Sequence, residues 1–290
     1  MVMQKYLDPK NDVAFKRLFG TEKNKEILVN FLNDVLNRSS VIEDVEFLPT
    51  INIPESYEQR VSIVDVMCRD TLGVKFIIEM QVVSTPEYLK RAQYYASRAY
   101  IGQRAKSVAY RDLKEVIFLA ICNKSILADH QDYISYHVML EQNTHKQYLK
   151  DFSYTFIELD KFNKPVEELD SQLDKWIYFF KHAEDSDRFP EELREDAHIN
   201  QALDEMKAFN WSEEEILAYE HVEYEHYSYI GNMEQSKLES ELKGKQEGLL
   251  EGERKGKLEV AKQLKAMGLD NAQIAAATGL TIEDIVSYNE

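Results

Sequence analysis

The sequence predicts an α/β fold with an all-helical C-terminal extension, and three observations support this prediction. Helical and strand-like segments alternate through the first 165 residues. The apolar run "VIFLAIC" at 116–122 has the length and composition of a central buried strand. After about residue 165 the strand pattern disappears and helical periodicity continues to the end. With 44% apolar residues, the 290-residue chain can form one large domain plus an appendage.

The first half of the chain begins with helices. "NDVAFKRLF" at 11–19 forms an apolar helix face, and either Asn11 or Asp12 can cap it. "NKEILVNFLNDVL" at 24–36 repeats apolar residues at i, i+3 and i+4. A further helix is expected at 85–103. Strands are expected at 43–49, on both sides of the turn in 64–81, and at 115–123, 133–140 and 153–160.

The helical second half is expected to comprise an acidic region at 166–232 and a tail at 233–290. Glycines recur every four residues in the tail, at 244, 248, 252 and 256, and each costs a lone helix up to about 1 kcal/mol. This ridge predicts a homo-oligomer formed through the C-terminal helices, although a flexible charged linker fits the pattern equally well. Residues 271–288 resemble a helix-turn-helix, but Glu283 and Asp284 favour packing or partner binding over DNA reading.

The charge of the chain is unevenly distributed. The formal net charge is −17, yet residues 1–125 hold 18 Lys and Arg against 16 Asp and Glu. Residues 84–114 carry seven basic and two acidic residues, which is compatible with phosphate binding or with a solvated helix face. No signal peptide or membrane-spanning run is evident, and the two cysteines fit buried free thiols. We therefore expect a cytoplasmic protein without a membrane partner.

The stretch "VDVMCRDTLGVKFIIEMQ" at 64–81 carries the candidate chemistry. A turn centred near Leu72 places Asp65 opposite Glu79 on one face of a hairpin, with Gln81 one step further along that face. Two carboxylates in opposed positions repel each other unless a cation lies between them. Magnesium prefers such oxygen ligands, and the backbone carbonyl of Met80 could be a further one. The alternative is an ordinary hairpin whose polar face meets solvent.

Four sequence blocks, in order, resemble the Rpn family of recombination-promoting nucleases. They are "DPKNDVAFKRLFG", "NKEILVNFLNDVL", "VDVMCRDTLGVKFIIEMQ" and "KRAQYYASRAY", and the tail from "EGLLEGERKGKLEV" onward is also similar. This family is also described as PD-(D/E)XK nuclease family transposases and is related to YhgA-like proteins. The resemblance implies a restriction-endonuclease-like αβββαβ core within residues 1–165 and cleavage of DNA with Mg²⁺ or Mn²⁺. It also implies a role in recombination or in mobile-element or phage-related DNA processing.

The resemblance assigns roles to individual residues. Asp65 and Glu79 match the metal-binding acids, and Gln81 matches the third catalytic position, where the wider superfamily has lysine. Because glutamine carries no charge, nearby cations must help to neutralise the phosphate, and Lys16, Arg91 and Arg98 are the candidate DNA contacts. Asp12 is a possible additional acid near the metal, although helix capping is its more ordinary role.

Two functions remain open from the sequence. The first is a metal-dependent DNA endonuclease. The second is a catalytically weak or inactive nuclease-fold protein that binds DNA or a partner, with a transposase as a further possibility. The acidic tail disfavours a transposase, because a strand-transfer enzyme needs specific recognition of DNA ends.

Overall fold

A computed structural model describes residues 5–36, 38–52, 62–103, 108–185 and 189–287. The chain divides into two compact units, Met1–Glu223 and Tyr224–Glu290. The first unit is built around a six-stranded mixed sheet with helices on both faces. The α/β class predicted from the sequence is therefore confirmed.

The strands follow the predicted order along the chain. Their bounds are β1 (Val45–Phe47), β2 (Ile51–Asn52), β3 (Ser62–Ile63), β4 (Val66–Asp70), β5 (Lys75–Gln81), β6 (Val116–Cys122), β7 (Ile134–Val138) and β8 (Phe152–Glu158). Strands β2 and β3 form a separate two-stranded sheet, and the large sheet has the order β1-β4-β5-β6-β8-β7. β5, β6 and β8 are parallel to one another, and the remaining pairs in the large sheet are antiparallel.

Helices of the first unit cover the two faces of the sheet. They are α1 (Asp12–Phe19), α2 (Lys25–Val35), α3 (Tyr88–Ile101), α4 (Gln172–His182), α5 (Glu191–Arg194) and α6 (Ala197–Glu205). One face packs on α1, α2, α4 and α6 in the larger core, and the other face packs on α3 in the smaller core. α3 buries three alanines against the sheet, Ala92, Ala96 and Ala99. Because these side chains are small, the backbone of α3 can lie close to the sheet.

The expected αβββαβ core is present as α1, β1, β4, β5, α3 and β6, and β7 and β8 extend the sheet. Its centre is the hairpin of β4 and β5, paired in the register Val66↔Ile78 and Met67↔Ile77. The turn depends on Gly73 at φ 85°, and on Asp70 Oδ1, which accepts hydrogen bonds from backbone N–H groups of the turn. This register is the one expected from a turn centred near Leu72.

The C-terminal half is helical in its described residues, as predicted. α4 and α6 belong to the first unit, where Trp176 and Phe180 pack against Phe19 and Phe31. The sequence regions 1–165, 166–232 and 233–290 therefore do not coincide with the two compact units, and that three-part division stays a prediction.

A helix of 54 residues, α7 (Glu213–Ala266), runs through all four ridge glycines. The charged segment is thus helical rather than a linker. Two short helices follow, α8 (Asn271–Thr278) and α9 (Ile282–Ser287), joined at Gly279 with φ 72°. Ile274 and Ile285 are buried against Leu258 of α7, which is the helix-pair packing that the sequence predicts.

Candidate metal and phosphate site

Asp65 and Glu79 come together where β4 and β5 meet. The backbone N–H of Asp65 donates to Glu79 Oε1 at 3.2 Å, and the N–H of Met80 donates to Asp65 Oδ2 at 2.9 Å. Each carboxylate therefore accepts a hydrogen bond from the backbone of the opposite chain segment. The expected cross-strand placement of the two acids holds, because the hairpin has the predicted register.

The chain bends at Asp65, so this residue lies just before β4 rather than inside a continuous strand. Its carboxylate takes the Met80 N–H that a continuing strand would have bonded with a backbone carbonyl. The bend also places the neighbouring residue, Val64, on the opposite face of the sheet. In a continuous strand Val64 and Val66 would share one face, because side chains alternate; instead, Val64 packs in the smaller core under α3 and Val66 packs in the larger core.

Glu79 is buried, with 6% of its surface exposed, and the Asp65 side chain is 17% exposed. The alternative of an ordinary hairpin whose polar face meets solvent is therefore wrong. α3 covers that face, since Ile77 and Met67 join the smaller core. Two buried acids side by side are costly unless protons or cations compensate their charge.

Burial dominates the electrostatics of the pair. Burial, and the charge of Asp65, raise the pKa of Glu79 well above the ordinary carboxylate range. Burial also raises the pKa of Asp65, and the charge of Asp12 adds to this, although the Met80 N–H opposes it. In the metal-free protein the pair therefore tends to retain a proton at neutral pH.

Asp12 and Lys16 on α1 reach the same place. Lys16 Nζ lies 2.8 Å from Asp12 Oδ2 and 3.8 Å from Asp65 Oδ1. Burial lowers the pKa of Lys16, but the hydrogen bond with Asp12 and the charges of Asp12, Asp65 and Glu79 outweigh burial and raise it. Asn11, not Asp12, caps α1 by accepting from the Val13 N–H. Asp12 is thus free from the capping role and lies beside the acid pair.

Gln81 forms hydrogen bonds through both ends of its side-chain amide. Its Oε1 accepts from Arg91 Nη2, and its Nε2 donates to the carbonyl of Val83. Gln81 therefore links the Arg91 guanidinium to the backbone at Val83. The Arg91 guanidinium also lowers the pKa of Glu79, which places its charge close to the acid pair.

Tyr88 is a component that sequence reasoning missed. Its ring lies under the Arg91 guanidinium at 5.0 Å from the centroid, and the residue is 1% exposed. Neither the Tyr88 hydroxyl nor Arg91 Nε has a hydrogen-bond partner among the residues that the structure describes, although both atoms are buried. The i, i+3 spacing of Tyr88 and Arg91, which makes them neighbours on one face of a helix, is the feature of the sequence that indicates this contact.

The remaining candidates lie at different distances from the pair. The Met80 carbonyl is on the Asp65 side of β5, because N–H and C=O of one strand residue point to the same neighbour. Arg98 lies two turns beyond Arg91 on α3, next to Ala99, whose carbonyl accepts from Lys75 at the opposite end of β5. The structure therefore does not bring Arg98 to the acid pair. Of the basic residues in 84–114, Arg104 and Lys106 lie outside the described residues.

The donor set fits a hard divalent cation that takes only part of its ligands from the protein. No three His, Cys, Asp or Glu side chains among the residues that the structure describes are arranged to hold a metal ion. Two carboxylates and a carbonyl remain, which suits Mg²⁺ because this ion retains waters and takes further oxygens from a phosphate. Glu79 Oε2 accepts no hydrogen bond from the described residues, whereas the Asp65 carboxylate also interacts with the side chains of Lys16 and Asp12.

An αβββαβ core with paired acids on adjacent strands defines the class of restriction-endonuclease-like nuclease folds. The family model described as PD-(D/E)XK nuclease family transposase matches residues 9–230, and the chain belongs to this family, which includes the Rpn and YhgA-like proteins. No curated protein and no solved structure matches the chain significantly.

Two other expectations from the sequence can be compared with the structure. Cys68 and Cys122 are buried and free, and burial raises the pKa of both thiols. Among the described residues, none of the helices combines the length and the apolar character needed to span a membrane.

Proposed function

We propose that the protein is a metal-dependent DNA endonuclease that hydrolyses phosphodiester bonds. The observation that carries this proposal is the buried pair of Asp65 and Glu79, flanked by Lys16 and Arg91. A structural role alone would not favour two adjacent buried acids. The family supports a nuclease or transposase type of activity.

Asp65, Glu79 and the Met80 carbonyl are the proposed ligands of Mg²⁺ or Mn²⁺. When bound, such an ion would lower the pKa of a water and neutralise charge on the scissile phosphate. Asp65 is held in place by the Met80 N–H, and Glu79 by the Asp65 N–H, so both acids are oriented before a ligand arrives. Their shared proton would leave when the cation binds.

Arg91 is the proposed replacement for the superfamily lysine. Gln81 Oε1 accepts a hydrogen bond from the Arg91 guanidinium, and the Tyr88 ring packs against the face of the guanidinium. Within the described part of the chain Arg91 Nε has no hydrogen-bond partner, so it is the proposed donor to a phosphate oxygen. Gln81 is then a positioning residue, and Lys16 and Arg98 are proposed contacts to more distant phosphates.

Nicking of supercoiled plasmid DNA by the full chain tests the proposal. Asp65→Asn and Glu79→Gln preserve shape and remove charge, and each should reduce Mg²⁺- or Mn²⁺-dependent nicking by more than about a hundredfold. Glu46→Gln is the matched control, because this acid is exposed on β1 and pairs with Arg69, away from the acid pair. Equal nicking by all four proteins would reject the assignment of the acids.

A nuclease-fold protein that binds DNA without cutting it is the alternative. The uncharged Gln81 favours it, because this side chain cannot neutralise charge on the phosphate as a lysine would. In that case wild type leaves plasmid intact with both ions, yet still retards DNA on a gel. A strand-transfer role, as the family name suggests, would require joined DNA products in the same assay.

We also propose that the chain self-associates through its C-terminal helices. Residues 224–257 of α7 are all exposed or partly exposed. A Cβ atom added at Gly244, Gly248, Gly252 or Gly256 would have no atom of the described residues within 4 Å outside its own stretch of helix. A helix with four interior glycines and exposed leucines gains stability from close packing with a second helix.

The free thiols of Cys68 and Cys122 support our expectation of a cytoplasmic location.

A further inference from the structure

The two edges of the large sheet differ in how they are protected. β1 forms one edge and β7 the other. β1 has three residues and carries Glu46, with Glu43 and Asp44 just before it. β7 has five residues, "ISYHV", and contains neither Lys, Asp, Glu nor Pro. Charges, prolines and short length are the usual means of preventing an edge strand from pairing, and β7 lacks them.

The outer side of β7 is unpaired within the described chain. Its ladder runs only to β8, from Ile134↔Ile157 to Val138↔Ser153. No backbone hydrogen bond of the described residues joins the outer side of this strand to another segment. Large apolar side chains are exposed on and beside the strand: Tyr136, Val138, Met139, Leu140, Tyr148 and Leu149. The edge therefore offers both free backbone groups and apolar surface.

A groove lies on each face of the sheet beside this edge. On the α2 face a polar cavity of about 520 Å³ has Tyr136, Val138 and Thr155 among its walls. On the α3 face an apolar cavity of about 270 Å³ is lined by Met139, Phe156 and neighbours. An added strand sends alternate side chains to the two faces, so it would fill both grooves.

We propose that this edge pairs with the same edge of a second copy of the chain. The two β7 strands run antiparallel about a two-fold axis and join two six-stranded sheets. The proposal does not rest on the nuclease activity.

Charge permits a second copy as the occupant of this edge. The whole chain has a formal charge of −17, so two copies repel over most of their surface. Residues 133–149 contain one acid, Glu141, and one lysine, Lys146. Pairing here avoids the repulsion that the acidic β1 edge would cause. The same short stretch also supplies both the grooves and the exposed apolar side chains, which is the self-complementarity that a two-fold interface requires.

Cysteine cross-linking of the full chain tests this geometry. Residues that face each other across antiparallel strands have Cα atoms about 4.5–5.5 Å apart, which suits a disulfide. Tyr136→Cys, His137→Cys and Val138→Cys each report pairing centred on the residue that is replaced. Cys68 and Cys122 are fully buried and do not compete. Glu46→Cys, at the centre of the opposite edge, is the matched control.

Under mild oxidation, at least one β7 variant should form covalent dimer about tenfold faster than Glu46→Cys, because pairing raises the effective thiol concentration. Circular dichroism confirms that each variant remains folded. If none of the three β7 variants cross-links faster than Glu46→Cys, the proposal is overturned, and the edge is then left for a different partner or for none.

Discussion

Asp65 and Glu79 hold each other in place across the β4–β5 hairpin. Asp65 donates its backbone N–H to Glu79 Oε1, and the residue after Glu79, Met80, donates its N–H to Asp65 Oδ2. The two acids are thereby fixed close together in a buried position, where their charges repel. A bound cation or a retained proton relieves this repulsion.

The first prediction concerns pH and the metal-free protein. The folded-state pKa of Glu79 is raised above its unfolded value near about 4. Between these values the folded protein keeps a proton that the unfolded chain has released, so the free energy of unfolding falls as pH rises. Thermal melts in EDTA should therefore show lower stability at about pH 8 than at about pH 5.

Glu79→Gln removes the group responsible for this dependence. The variant should melt at a higher temperature than wild type at alkaline pH, and its melting temperature should change less with pH. Glu46→Gln serves as the exposed control. Parallel pH profiles for wild type and Glu79→Gln would show that Glu79 does not carry the raised pKa.

The second prediction separates the roles of Gln81 and Arg91. If Gln81 acts by holding the Arg91 guanidinium, Gln81→Ala should reduce nicking by about tenfold in wild type and have little effect in an Arg91→Ala background. Arg91→Ala alone should cause the larger loss, because it removes the charge. Initial nicking rates of the four proteins complete the cycle. Additive losses would mean that Gln81 acts on water or phosphate independently of Arg91.

The third prediction ranks the acids. Asp12 is half exposed and bonded to Lys16, so it contributes charge near Asp65 rather than a direct ligand. Asp12→Asn should weaken Mn²⁺ binding by less than about tenfold, whereas Asp65→Asn should abolish it. Isothermal titration of Mn²⁺ measures both. An equally complete loss in Asp12→Asn would make Asp12 a ligand.

The fourth prediction uses the glycine ridge of α7. Gly248→Ala with Gly252→Ala should raise helix stability by about 1 kcal/mol per site, because alanine is the better helix former. The added methyl groups should nevertheless weaken association if two helices pack closely there. Sedimentation equilibrium gives the association constant, and circular dichroism gives the helix stability.

Gly231→Ala is the control for this experiment. Gly231 lies in the same helix and also has an open environment, but it stands apart from the four-residue ridge. It should stabilise the helix without changing association. A ridge variant that stabilises the helix and leaves the association constant unchanged would reject the ridge as an interface.

Local patterns predicted the hairpin and its register, because strand side chains alternate and one turn sets which residues face each other. They also predicted the helix pair around Gly279. The bend at Asp65 was not predictable, since it follows from a side chain replacing a backbone acceptor. The contacts of Gln81 with Arg91, and of Asp12 with Lys16 and Asp65, depend on how α3 and α1 pack on the sheet. No local periodicity encodes that packing.

The central claim is that Asp65 and Glu79 together hold a divalent cation. Crystals of the full chain soaked in Mn²⁺ and measured at the manganese absorption edge test it most directly. We predict an anomalous peak between the Asp65 and Glu79 carboxylates, within about 2.3 Å of an oxygen of each. A peak elsewhere, or no peak in crystals whose wild-type protein nicks DNA with Mn²⁺, would contradict the claim.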